Sequence, residues 1–133
     1  MSKAKIVKEL VVKTANKLGM MEEVTSAIYK VGVNITALHA FGVDKEAVFR
    51  IVTEDNAKAM EGIKSRKLEV SERDVVAVEL ENKKGMAALM GKKIKDAGID
   101  IKYIYGSTCG CSGSCTMIFN CTDNKRAATV LND

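Results

Sequence analysis

The sequence predicts an α+β chain of two βαββαβ units, each an antiparallel sheet with two helices on one face. Three observations carry this reading. Asn16-Lys17-Leu18-Gly19-Met20 recurs 66 residues later as Asn82-Lys83-Lys84-Gly85-Met86. Gly32 and Gly98 follow these segments in phase. In both copies the apolar pattern also passes from strand-like to helical periods in the same order. From Asn16 to Leu38 the copies share seven identities in 23 aligned positions. Thr53-Glu54-Asp55-Asn56 then matches Cys121-Thr122-Asp123-Asn124 at an offset of 68, so the second copy carries two extra residues. A tandem duplication follows, with units at residues 1–70 and 71–133.

The elements follow from local chemistry. Lys8-Glu9-Leu10-Val11-Val12-Lys13 and Asp74-Val75-Val76-Ala77-Val78-Glu79-Leu80 are rich in β-branched and aliphatic residues and read as first strands. After Gly19, the residues Met20, Val24, Ala27, Ile28 and Val31 form one helical stripe. Met86, Met90, Ile94 and Ala97 form the equivalent stripe after Gly85. Gly32 and Gly98 read as left-handed helix stops. Second strands run from Val33 to about Ala40 and from Ile99 to about Tyr105. Third strands cover Val48–Val52 and Met117–Asn120. Asp55 or Asn56, and Asp123 or Asn124, are candidate N-caps for the last helices, which bury Met60 and Ile63, or Val130 and Leu131. Copy one continues into a fourth strand near Leu68-Glu69-Val70. Copy two lacks its own last strand, and Ala4-Lys5-Ile6-Val7 is a candidate to fill the vacant edge by circular permutation.

Composition narrows the function. Net charge is +4, with 29% charged and 47% hydrophobic residues, a globular balance. No apolar run reaches the roughly 18 residues of a membrane span, and the first residues lack the apolar core of a signal peptide. A cytoplasmic protein is the expectation. There is no Trp or Pro, only 5% of residues are aromatic, and no K/R-G-F/Y segment accompanies Phe49 and Phe119. Nucleic-acid binding by stacked aromatics is therefore disfavoured.

The turn from first strand to helix is the informative place. Glycine lets the backbone approach a ligand at a helix start, where free N–H groups and the helix dipole favour a carboxylate. An asparagine amide both donates and accepts, which suits a ligand with amino and carboxylate groups. A tight turn chosen only for folding explains the same residues.

Asn16-Lys17-Leu18-Gly19-Met20, a helix, then Gly32-Val33-Asn34-Ile35 resembles the signature of the ACT family. Asn82-Lys83-Lys84-Gly85-Met86 followed by Gly98-Ile99-Asp100-Ile101 resembles it again. The resemblance covers nearly the whole chain and implies a pair of ferredoxin-like ACT units. It implies a non-catalytic, allosteric regulator that binds an amino acid at the interface between paired units and forms a homodimer. Any regulated metabolic enzyme would be a separate protein. The ligand-binding residues carried over by position are Asn16, Leu18, Gly19, Met20, Asn34, Ile35, Asn82, Lys84, Gly85, Met86, Asp100 and Ile101. The family often has an acidic residue where Asn16 and Asn82 stand, and proline where Leu18 and Lys84 stand.

Two features fall outside the resemblance. Cys109, Cys111 and Cys115 cluster on a Gly/Ser-rich segment of the second copy, with Cys121 further on. They are candidate thiolate ligands for Zn²⁺. A reversible disulfide, and an inert loop with Cys121 as a small buried hydrophobe, are the other readings, the inert loop standing first. His39, the only histidine, reads as a half-buried strand residue, and Met21 lies off its helical stripe and is free to face a ligand or partner. The alternatives to an amino-acid regulator are a ligand-free scaffold and a thiol- or metal-responsive module using the Cys109–Cys115 segment.

Overall fold

The computed structural model describes residues 2–108 and 113–132. The elements are β1 (Ser2–Ala15), α1 (Met20–Lys30), β2 (Ile35–Val43), β3 (Glu46–Thr53), α2 (Asn56–Ser65), β4 (Glu69–Glu81), α3 (Met86–Asp96), β5 (Ile101–Thr108), β6 (Ser114–Cys121) and α4 (Asn124–Leu131). The backbone groups into a first unit, Lys8–Arg73, and a second, Met1–Val7 with Asp74–Asp133. Both borders fall inside strands, β1 and β4. A border at residue 70 would leave Met1–Val7 in the first unit, whereas by contacts they belong to the second.

Within the first unit the strand order is β2-β3-β1-β4, and within the second β1-β4-β6-β5. These are the same βαββαβ arrangement, except that the second unit takes its last strand from the opening half of β1. The sequence had left that edge vacant. Ala4 enters the second core. Its N–H donates to Asn132 Oδ1 (2.8 Å), Asn132 Nδ2 donates back to its carbonyl (2.8 Å), and Ser2 Oγ donates to the Leu131 carbonyl.

Strand alternation sends every second side chain under the helices. In the first unit Leu10 and Val12 lie opposite Ile51 and Phe49. All four pack with Val24, Ile28 and Ile63 from α1 and α2. In the second unit Val76 lies opposite Phe119 and Val78 opposite Met117. Met86, Met90, Ile94 and Leu131 cover them. Fully burying each such side chain contributes about 1.5–3 kcal/mol.

The helix ends resolve the choice of caps. Asp55 Oδ1 accepts from the Lys58 N–H (3.1 Å) and Asp123 Oδ1 from the Arg126 N–H (3.0 Å). The neighbouring asparagines do something else. Asn56 accepts from the Thr53 N–H and donates to the Lys8 carbonyl, and Asn124 accepts from the Cys121 N–H and donates to the Asp74 carbonyl. Each ties the end of a third strand to the start of its unit's first strand. Gly32 and Gly98 end α1 and α3 with φ of 76° and 72°.

Two helical glycines differ in what surrounds them. A Cβ on Gly62 would lie 2.6 Å from the Ala27 carbonyl oxygen and 3.0 Å from Val31, because α2 closes onto α1 there. A Cβ on Gly91 of α3 would meet nothing within 4 Å. Gly62→Ala is therefore expected to destabilise by about 1–3 kcal/mol through overpacking. Gly91→Ala should stabilise by up to about 1 kcal/mol through helix propensity. Urea unfolding of the two variants reads both signs.

Candidate functional site

Each first strand leads into a loop held against the hairpin of its own unit. The Asn16 N–H donates to the Lys45 carbonyl and the Asn82 N–H to the Gly113 carbonyl, both at 2.8 Å. The Asn16 side chain is already engaged, donating to the Asp44 carbonyl at 3.2 Å. It rests over Gly42, where a Cβ would come within 2.5 Å of its Nδ2. Gly19 and Gly85 adopt φ of 89° and 88°, a left-handed turn that favours glycine, and no side chain caps the helices they open.

The residues around those glycines divide by role. Met20 and Met86 are buried in their unit's core, so their side chains are closed to a ligand, and the Met86 N–H donates to the Lys83 carbonyl at 3.4 Å. Leu18 is fully exposed and Lys84 is exposed. Glu22 and Glu23 occupy the first turn of α1, whereas the first turn of α3 holds no acid. Carboxylates already placed at a helix start compete with an incoming anion. The helix dipole of α1 is therefore the less receptive of the two.

The second-strand residues sit elsewhere. Asn34 and Asp100 are exposed, and their carbonyls accept from the Glu54 and Thr122 N–H groups (3.1 and 3.0 Å). Ile35 and Ile101 lean on the two cores. In the first unit Asn34 and Ile35 border an open groove of ≈390 Å³ with Glu22, Thr25, Ser26 and Tyr29 of α1. The structure thus brings Asn34 and Ile35 together with the side of α1, not with Asn16, Leu18, Gly19 or Met20. The α1 residues were missed in the sequence. Their signal was Thr25, Ser26 and Tyr29 lying off the buried stripe, with Tyr29 79% exposed. The aligned positions of the second unit are Ala88, Gly91, Lys92 and Lys95, and Lys92 is bonded to Asp96 at 2.6 Å.

With this geometry in place, the comparisons decide the family. The family described as an ACT domain pair matches residues 5–133. The chain is an ACT domain pair. A protein of Bacteroides thetaiotaomicron matches 96% of this chain and 88% of its own, at TM-score 0.88 and 24% identity. The ligand-free regulatory subunit of aspartate kinase from Thermus thermophilus matches 96% and 93%, at TM-score 0.68 and 13% identity. The regulatory subunit of aspartate kinase from Thermus flavus matches 98% and 94%, at TM-score 0.65 and 15% identity. At these identities the likeness establishes the shared fold. No curated protein matches.

Of the four cysteines of this ACT pair, Cys115 and Cys121 lie among the described residues. Cys109 and Cys111 lie outside the described residues. Cys115 and Cys121 are six residues apart on β6, about 20 Å along an extended strand, too far to share an ion. Among the described residues no three His, Cys, Asp or Glu side chains are placed to hold a metal. Cys115 packs beside the second core, whereas Cys121 lies within it and donates its thiol to Asn124 Oδ1 at 3.2 Å. Burial pushes the Cys121 thiol pKa up, against the backbone hydrogen bond from Asp123. His39 is half-buried on β2 opposite Arg50, and its ring lies 5.6 Å from that of Phe41. Met21 is exposed.

Because folding raises the Cys121 pKa, the stability linked to it is whole below the ordinary thiol range. It drains away as pH rises through the folded value. Alkylation with iodoacetamide at pH 8, read by peptide mapping, is expected to label Cys115 in the native protein. Cys121 should be labelled only after unfolding.

Proposed function

We propose that this ACT pair is a non-catalytic regulator whose effector is an amino acid held by the first unit. The carrying observation is the groove that sets Asn34 beside Glu22, Thr25 and Ser26 of α1. Its chemistry suits a small zwitterion. The Glu22 carboxylate attracts an ammonium group, and the Asn34 amide offers a donor to a carboxylate and an acceptor to an amine. The Thr25 hydroxyl donates to the Met21 carbonyl (2.7 Å), which leaves its lone pairs free to accept. Arg66 steadies Ser26 from behind, with Nη2 3.4 Å from its hydroxyl. Val33, Ile35 and the Tyr29 ring offer apolar surface for an uncharged side chain.

The groove is open along one side, and in this reading an ACT unit of a second copy closes it. The loop residues Gly19, Leu18 and Asn16, with Asn82, Lys84, Gly85, Asp100 and Ile101, then serve pairing and backbone contacts. The effector shifts an equilibrium between free and paired units by its differential affinity for the two. A separate cytoplasmic enzyme is the natural target of such a shift. The exposed Leu18, Met21 and Tyr29 are the observation behind a second reading, a scaffold that docks a partner without a ligand.

Thermal unfolding against the twenty common amino acids tests the proposal. An effector at a hundred times its Kd adds about 2.7 kcal/mol and raises the midpoint by several degrees. Thr25→Phe, which fills the groove, should abolish the shift while leaving the unliganded midpoint within about 0.5 kcal/mol of the parent. No shift with any amino acid would overturn the reading in favour of the scaffold. A response to chelator or reductant alone would favour the cysteine segment.

A further inference from the structure

The second unit contains a cavity of ≈580 Å³, remote in sequence from the glycine loops and from the α1 groove, bordered by Lys3, Lys5, Ala77, Glu79, Thr116 and Asn132. Alternation fixes most of its lining. Ala4, Val76 and Val78 point into the second core, so Lys3, Lys5, Ala77 and Glu79 stand on the opposite face of the sheet. Glu79 lies directly across from Thr116 in the β4–β6 pairing. Ala77 keeps the floor low between them, since its methyl group is the smallest side chain a chiral residue offers. Asn132 borders the rim with its amide spent on Ala4.

The charges around this hollow are arranged for a guest. Lys3 and Lys5 lie two residues apart on one face, about 6.6 Å between α-carbons. Among the described residues, neither lysine nor Glu79 takes part in an ion pair or side-chain hydrogen bond. Two ammonium groups and one carboxylate thus ring the same concavity with a hydroxyl beside them. We infer that this cavity is a second ligand site, for a small aminodicarboxylate. Its two carboxylates meet Lys3 and Lys5, and its ammonium meets Glu79. The cavity volume falls within the range of small-molecule sites. The site is independent of the α1 groove, whose only acid favours an amino acid with an uncharged side chain.

Titration of the ¹⁵N-labelled chain with L-glutamate, followed by NMR, reads both place and affinity. The expected result is saturable shifts at the Lys3, Lys5, Ala77 and Thr116 amides. Lys3→Ala with Lys5→Ala should weaken the affinity about tenfold, the combined value of two solvent-exposed ion pairs. Glu79→Gln should erase the preference for L-glutamate over glutarate. Thr25→Phe should leave these shifts unchanged, which separates failure of this site from failure of the α1 groove. The inference is overturned if these amides do not shift, if the double lysine variant binds like the parent, or if Thr25→Phe alone removes the response.

Discussion

Everything in the second unit depends on a strand that precedes the first unit in sequence. Four-stranded sheets of this kind place the first and third strands centrally and need a fourth beside the first. In the second unit the opening half of β1 fills that edge. Beyond its pairing with β4, it is held by a side-chain imitation of sheet pairing. The Asn132 amide accepts from the Ala4 N–H and donates to its carbonyl, closing a ring across 128 residues of sequence. It holds Ala4 beside Val78 and Leu131 in the second core. Along the sequence the first unit thus falls between two segments of the second.

The duplication left the two units with one skeleton and different surfaces. The conserved skeleton is visible in matched hydrogen bonds: loop to hairpin at Asn16 and Asn82, cap at Asp55 and Asp123, strand tie at Asn56 and Asn124. The surfaces diverged along the third of each first helix that the core does not use. In α1 that side carries Glu22, Thr25, Ser26 and Tyr29, whereas in α3 it carries Ala88, Gly91 and two lysines. A helix can change this side freely because none of the buried stripe is touched. Chemical specialisation within an ACT pair therefore falls where packing exerts least control.

The framework was legible because it rests on constraints written locally. A left-handed turn before a helix favours glycine, and a buried helix face requires apolar residues at spacings of three and four. Gly19, Gly85 and the Met20 and Met86 stripes state both requirements in one-dimensional form. The vacant edge of the second copy could also be noticed by counting strands. The site was less legible. Asn16 is an expected ligand contact whose side chain engages its own hairpin turn, while Met20 and Met86 face the core as their helical stripes predict. The groove is formed by residues from α1 and β2, and their proximity depends on how the chain turns at Gly32. That relation is three-dimensional, and no spacing rule announces it.

This order of segments along the chain has a consequence for biosynthesis. The opening half of β1 leaves the ribosome before any of the first unit, yet its hydrogen bonds to Leu131 and Asn132 wait until α4 has been made. Until β4, its ladder partner, has been made, a β-prone segment, Ala4-Lys5-Ile6-Val7, is available to pair with a neighbouring nascent chain. Lysines along a bare strand oppose such pairing, since stacking two copies in register sets like charges face to face. Lys3, Lys5 and Lys8 alternate with or flank the apolar residues of this segment. The charges that border a cavity in the finished protein thus also keep the waiting strand single until its own partner arrives.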